Sequence, residues 1–349
     1  MNTVEKMEIR PGCRKCPLFQ RLRYFVPSTV NGKESDEVAD IMFLGEAPGE
    51  NEAAQKEGFV GKSGHFLNMM LKDIKIDRRK VRFSNVLKCW PKGNKLPEDI
   101  DGAIECCSSY LNEDLEKAKV VVGLGALALK AITGYSGVLN RRGSVYEIEE
   151  SGKPFICTLH PSYLRRLQYA RKEERSIVPY QIVEADIAKA IRILNGEGWK
   201  GWKSIPLNIY PTTRDIEKFL QRLHTGEEKW VVFDIETTHQ KGKPKIPILC
   251  GFYVEGEAIC LSFEDDLEAI YWALKSPTPK VCQNGLFDVW ILENLGFKVT
   301  NYIWDTMYAH HDMFAELPHS LKFIQSVYTW IPFHKDMVDW EEDEEEEEE

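Results

Sequence analysis

Short apolar runs alternate with amphipathic stretches twice along this chain, and this alternation narrows the possible folds more than any other feature. In the first block the runs are Asp40–Leu44 (DIMFL), Val81–Leu87 (VRFSNVL), Val120–Leu124 (VVVGL) and Pro154–Leu159 (PFICTL). Helical spacing marks the segments between them, at Gly64–Ile74, Asp99–Ala118, Gly125–Ile132 and Val178–Leu194. Strands that alternate with helices require a parallel sheet covered on both faces, with ligands at the carboxyl ends of the strands. The Gly-, Pro- and Trp-rich stretch 196–215 has no period and reads as a boundary. A second α/β block opens with Trp230–Ile235 (WVVFDI). It continues through a hairpin-like region, Pro247–Phe263, a helix, Leu267–Lys275, and a short strand, Lys280–Gln283.

At 349 residues two domains are expected, since one domain takes roughly 150. The boundaries read as 1–195, a linker and the start of the second domain at 196–228, the body of that domain at 229–338 and an acidic tail 339–349. The net charge of −10 is concentrated in that tail. Glu341–Glu349 supplies nine acids, and without them 45 basic residues face 46 acidic ones. The tail cannot bury apolar surface and reads as solvated. The acidic balance is therefore no argument against nucleic-acid binding by the rest. No run of about 18 apolar residues occurs, so no membrane span is expected. Nine cysteines in a chain without an apolar leader point to thiols or metal ligands rather than disulfides.

Four of these cysteines have metal-ligand character. Cys13 and Cys16 form a C-x-x-C in a basic leader, Cys89 follows a strand end, and Cys106 and Cys107 lie on the next helix. Four thiolates from separated segments can hold an iron–sulfur cluster or a zinc ion, and spacing does not decide between them. Between the cysteines stand GEAPGENE (45–52), GFVGKSG (58–64), NVLKCWPKGNKLP (85–97), CSSYL (107–111) and LHPSYLRR (159–166). These pieces, in this order over about residues 10–190, resemble the family 4 uracil-DNA glycosylases. The resemblance implies a three-layer parallel-sheet fold with a [4Fe–4S] cluster on Cys13, Cys16, Cys89 and Cys107, with Cys106 as the alternative to Cys107.

It also implies a base pocket. A glycosylase takes its base out of the duplex and holds it in a closed site. Phe59 would stack on uracil, and the Asn85 amide, both donor and acceptor, would pair with its edge. Gly45 and Ala47 would let the backbone approach base and sugar closely. His160 would stabilise charge on the uracil oxygen, while Ser162, Arg165 and Arg166 would meet DNA. Two departures stand out. Ala47 occupies the position where the best-known glycosylase family has a water-activating aspartate, which leaves Glu46 and Glu52 as candidate carboxylates. Arg165 replaces a leucine that would fill the gap left by the flipped base.

In the second block Asp234 and Glu236 end an apolar strand on one face, as alternation requires. NGLFD follows with Asn284, Phe287 and Asp288. Two such motifs resemble the first two motifs of DEDD-type 3′–5′ exonucleases, which use two Mg²⁺ or Mn²⁺ ions. This implies a ribonuclease H-like α/β domain in which Asp234, Glu236 and Asp288 hold metal. Residues 304–329 are similar to the proofreading part of phage family A DNA polymerases, and in that context His310 and His311 read as helix surface. No tyrosine with an aspartate four residues later follows. Asp312 and Asp336 are poor substitutes, so the exonuclease reads as incomplete. The combined expectation is a uracil-DNA glycosylase-like part of a phage-type DNA polymerase, acting on single- or double-stranded uracil-containing DNA in the host cytoplasm, with other replication proteins as possible partners. The alternative is a uracil-sensing or DNA-binding module without catalysis.

Overall fold

Residues 10–168, 178–197, 199, 206–238 and 245–333 are described by the computed structural model. Asp336 and the acidic run 341–349 fall outside them. No helix among the described residues is long and apolar enough to cross a membrane.

The first unit is built on strands β1 (Thr29–Val30), β2 (Ala39–Gly45), β3 (Arg82–Asn85), β4 (Ala118–Leu124), β5 (Val145–Glu147) and β6 (Pro154–Thr158). Their order across the sheet is β1-β3-β2-β4-β6-β5. The four inner strands are parallel, as the alternating pattern requires, and β2, β4 and β6 are buried along almost their whole length. The two edge strands run antiparallel, which the sequence did not announce. Helices cover both faces. One core cluster gathers Leu87, Cys89, Ala103, Cys107, Leu111 and Leu127, and a second gathers Phe43, Phe59, Leu67, Phe83 and Ile156.

The second unit carries β7 (Leu207–Asn208), β8 (Val231–Thr237), β9 (Pro247–Val254), β10 (Glu257–Ser262), β11 (Lys280–Cys282) and β12 (Tyr302–Asp305), in the order β12-β11-β8-β9-β10-β7. The antiparallel meander β8-β9-β10, with β11 and β12 added parallel to β8, is the strand arrangement expected of a ribonuclease H-like sheet.

The chain divides into Met1–Trp202 with Gln325–Glu349, and Lys203–Ile324. The helix Thr213–Thr225, capped by Thr212 and Asp215 in a capping box, belongs to the second unit, whose start is expected within 196–228. At the other end one expected boundary shifts: Gln325–Phe333 belongs to the first unit instead of closing the second. Buried cations explain the return. The Lys189 ammonium, in a side chain almost wholly buried, donates to the carbonyls of Gly143 at 2.6 Å, Ser326 at 2.5 Å and Thr329 at 2.7 Å. Arg142 pairs with Asp186 and donates to Ser326 Oγ at 2.8 Å. A buried ammonium without partners is costly, so the returning segment completes a site that the first unit cannot satisfy alone.

Candidate active site

The ends of three parallel strands bring together the residues expected at the base pocket. Gly45 closes β2 and Asn85 closes β3, in register as direct neighbours. The chain beyond β3 stays zipped to β2, because Val86 N donates to Gly45 O and Leu87 N to Glu46 O, each at 3.0 Å. A methyl group on Gly45 would stand 2.6 Å from Phe59 Cζ and closer still to Asn85 Oδ1. Only glycine lets these two side chains meet over the backbone.

Phe59 is buried and holds φ at +59°, a conformation that is costly for a bulky residue. Gly64 makes it possible, since a side chain there would overlap the Phe59 carbonyl. The Phe59 ring packs 5.5 Å from Phe83 and 6.5 Å from His160, centroid to centroid. His160 follows β6, with Gly125 leaving room for it: a Cβ on Gly125 would come within 2.9 Å of the His160 Cβ.

The hydrogen bonds around His160 set its chemistry. Ser162 N donates to Nδ1 at 3.1 Å, and Ser162 Oγ lies 2.7 Å from the same nitrogen. With Nδ1 accepting, the proton of the neutral ring belongs on Nε2. Burial, helped by the positive charge of Arg166, lowers the imidazole to about 4. His160 is therefore a neutral donor at pH 7. Ser162, expected at the DNA, has its amide and hydroxyl turned to His160 instead. On the same helix Arg166 is exposed and faces both Glu46 and His160 electrostatically, while Leu164 is buried. Arg165 is half-buried and its Nε finds no hydrogen-bond partner.

The two candidate carboxylates differ sharply. Glu52 accepts from the amides of Gly49, Gly61 and Phe59 and so caps the start of the helix Glu50–Gln55. It is raised by burial while those amides hold it down. Its lone pairs are committed to the loop that carries Phe59, which corrects its reading as a catalytic acid. Glu46 has no such partners. Burial raises it, and Arg166 acts in the opposite direction.

Cys13, Cys16, Cys89, Cys106 and Cys107 line one pocket with Leu18, Leu22, Phe25, Lys88 and Tyr110. The helix Ile100–Glu116 explains the difference between the adjacent pair. Its buried stripe runs Ala103, Cys107, Leu111 and Leu115, at intervals of four residues, and Cys106 falls off that stripe. Cys16 and Cys107 interact directly: the contact lowers Cys107 and raises Cys16, and burial then raises Cys16 further. Burial pushes Cys89 up to about 12. Tyr110 Oη lies 3.7 Å from Cys13 Sγ. Behind the pocket Lys88 is held by Asp114 at 2.5 Å and Ser84 Oγ at 2.6 Å.

Among the described residues no three His, Cys, Asp or Glu side chains converge on a single metal ion. An all-thiol donor set around one pocket walled by leucine and phenylalanine fits the ligand chemistry of an iron–sulfur cluster.

In the second unit Asp234 and Glu236 alternate with buried Phe233 and Ile235 on β8, so both project from one face. Asp288 is buried on the first turn of the helix Gly285–Asn294. Burial raises it to about 7, with Asp234, Asp305 and Glu236 adding to the effect. Asp234 is raised by the same causes, the low-polarity surroundings of its carboxyl first and Glu236 second. The three acids are electrostatic neighbours but do not close round one ion, contrary to the expected metal-binding distance. Mutual repulsion of like charges opposes closer approach.

Asp305, by contrast, is structural. It accepts from the amides of Asn284, Gly285 and Met307 and from Tyr302 Oη at 2.6 Å. These donors hold it low although burial pushes the other way. His310 and His311, read from sequence as helix surface, differ from each other. His310 is buried, and both rings meet His319, at 2.8 and 3.0 Å.

Comparison with known proteins agrees with this geometry. Residues 33–180 match the Uracil DNA glycosylase superfamily. The type-4 uracil-DNA glycosylase of Archaeoglobus fulgidus is 36% identical over 47% of this chain and 84% of its own length. The DNA polymerase of Bacillus phage SP01 is 28% identical over 40% of this chain and 15% of its own. Among solved structures, the catalytic core of RRP6 from Trypanosoma brucei is similar over 56% of this chain and 51% of that one. At 19% identity and a TM-score of 0.33 this likeness is too slight to carry an argument, and the fold of the second unit rests on its strand order. Through its first unit, then, the chain belongs to the type-4 uracil-DNA glycosylases.

Proposed function

We propose that the first unit hydrolyses the N-glycosidic bond between uracil and deoxyribose in DNA. The observation that supports this most is the convergence of Gly45, Phe59, Asn85 and His160 at the carboxyl ends of β2, β3 and β6. A flipped uracil stacks on Phe59, and the Asn85 amide pairs with its edge. As the bond from the sugar carbon to the base nitrogen breaks, its electron pair goes to uracil. The Nε2–H of neutral His160 donates to the uracil oxygen that gains charge. Water adds to the sugar carbon and gives up its proton. We assign Glu46 to receive it by elimination, because Ala47 has no acid and Glu52 is committed to the loop amides. Arg166 balances Glu46 and reaches phosphate.

Cys13, Cys16, Cys89 and Cys107 would hold a [4Fe–4S] cluster, which when bound cross-links the amino-terminal segment, the extension of β3 and the helix Ile100–Glu116. The buried helix phase of Cys107 favours it over Cys106. The likeness to a phage DNA polymerase supports a place in replication.

The alternative, a DNA-binding module without catalysis, draws on Ala47 and Arg165. The deciding experiment is release of free uracil from a labelled oligonucleotide. Release that depends on Asn85 and His160 supports the hydrolase, and tight uracil-dependent binding without release supports the module.

A further inference from the structure

We infer that a surface beside the thiol pocket, formed by Arg21, Arg23, Tyr24, Trp90, Lys92 and Lys95, grips the phosphate backbone of the DNA strand next to the flipped base. Two segments far apart in sequence build it. Trp90 N donates to Tyr24 O at 3.3 Å and Val26 N to Lys88 O at 2.7 Å, around a bridge between Phe25 and Cys89. Tyr24 and Trp90 meet edge to face at 5.2 Å. The Arg21 guanidinium lies 4.2 Å from the Tyr24 ring centre and 4.8 Å from that of Trp90, and Arg23 lies 4.6 Å from Tyr24. Trp90 is fixed further by its Nε1, which donates to Asn94 Oδ1 at 2.8 Å.

Among the described residues none of the four cations makes an ion pair, although Arg21 Nε donates to Trp90 O at 3.4 Å and so ties the two segments together. Arg23, Lys92 and Lys95 are exposed, and Tyr24 and Trp90 are half-exposed. Unpaired cations interleaved with fixed aromatic rings are what a nucleic-acid strand requires, phosphates on the charges and bases on the ring faces.

Position identifies the strand. Trp90 follows Asn85 by five residues, a reach of at most about 18 Å at 3.3–3.6 Å per residue. The surface thus begins at the sheet edge that holds the base and covers phosphates a few nucleotides from it. The reading of the chain as a DNA glycosylase supplies the identity of the polymer, and the test below is independent of catalysis.

The experiment measures binding of the full chain to a uracil-free single-stranded oligonucleotide by fluorescence anisotropy over a range of salt concentrations. The triple variant Arg23→Gln, Lys92→Gln, Lys95→Gln is compared with wild type. A control carries Lys75→Gln, Lys80→Gln and Lys119→Gln, all exposed at the opposite, amino edge of the strands. Each lost phosphate contact lowers the slope of log affinity against log salt by about 0.7, so the patch variant should lose about 2 and the control nothing. The visible absorbance of the cluster should stay as in wild type. Should the triple variant lose that absorbance, the Lys92→Gln, Lys95→Gln pair leaves the Arg23 segment untouched and should lose about 1.4. An unchanged slope with the cluster intact overturns the inference and makes the patch an internal brace. A wild type that shows the slope but releases no uracil keeps this surface and sinks the glycosylase reading.

Discussion

Gly45→Ala tests the site at its most crowded point. The added methyl group would stand 2.6 Å from Phe59 Cζ, and ordinary contact begins at 3.4 Å, so the ring must retreat by about 0.8 Å. Asn85 Oδ1 must move further, because it is closer still. Neither can move freely. Phe59 is pinned against Phe83 at 5.5 Å and by its positive φ, and Asn85 is the last residue of a buried strand. Overpacking of this kind costs about 1–3 kcal/mol of stability. The catalytic cost is larger, since a misplacement of about 1 Å at a reacting site costs on the order of 100-fold. Uracil release from a labelled oligonucleotide, measured beside thermal unfolding and cluster absorbance, should therefore fall about 100-fold in a protein that still folds and keeps its colour. Release within about threefold of wild type would refute the claim that base and glycine share this space. Loss of folding alone would show up in the melting curve, and a second variant, Gly45→Ser, should then fail in the same way.

The other expectations are simpler to state. Asn85→Ala should weaken uracil release by about 1–3 kcal/mol of transition-state binding, because a buried base edge loses its partner, and equal release would remove Asn85 from the site. Glu46→Gln should lower the rate with unfolding unchanged, whereas Glu52→Ala should lower the unfolding temperature because it strips partners from buried amides; the reverse pattern would exchange their roles. His160 is lowered to about 4 from 6.5, so below pH 6.5 the unfolded chain takes up a proton that the folded one refuses. Stability should then fall by up to about 3 kcal/mol as pH drops from 6.5 towards 4, at 1.36 kcal/mol per unit, and urea unfolding of His160→Gln should lack that part of the slope. For the second unit, digestion of a labelled single strand with Mg²⁺ or Mn²⁺ should be slight, and robust digestion abolished by Asp234→Ala would show that a fourth ligand is present.

Much of this architecture can be read from residue order, and the limits have physical causes. The inner strands and the helices Val178–Leu194 and Leu267–Lys275 follow from period and length. The edge strands β1, β5, β7 and β12 are two to four residues long, too short to show a period. Cys107 could have been separated from Cys106 by helix phase, since Ala103, Leu111 and Leu115 stand at four-residue steps from it and not from its neighbour. The return of Gln325–Phe333 to the first unit had no local signal. It depends on Lys189 and Arg142 being buried where the carbonyls of that segment can reach them, which only the folded chain decides.

The acidic residues give the sharper lesson, because motif position alone does not separate those that do chemistry from those that hold backbone. Glu52 and Asp305 both stand inside recognisable motifs, yet each spends its oxygens on backbone amides. A carboxylate surrounded by N–H donors is stabilised as an anion, and its lone pairs are not available to a water or a metal. Glu46 and Asp288 are the opposite case. Each is raised first by burial and gains no backbone donor to offset it. Such a group binds a proton more readily than a free carboxylate and keeps its lone pairs open, which is the property a general base or a displaceable metal ligand needs. The same criterion orders the acids in both units, although the two sheets are built differently: the acids that cap and brace are those the backbone has claimed, and the acids left for reaction are those it has not.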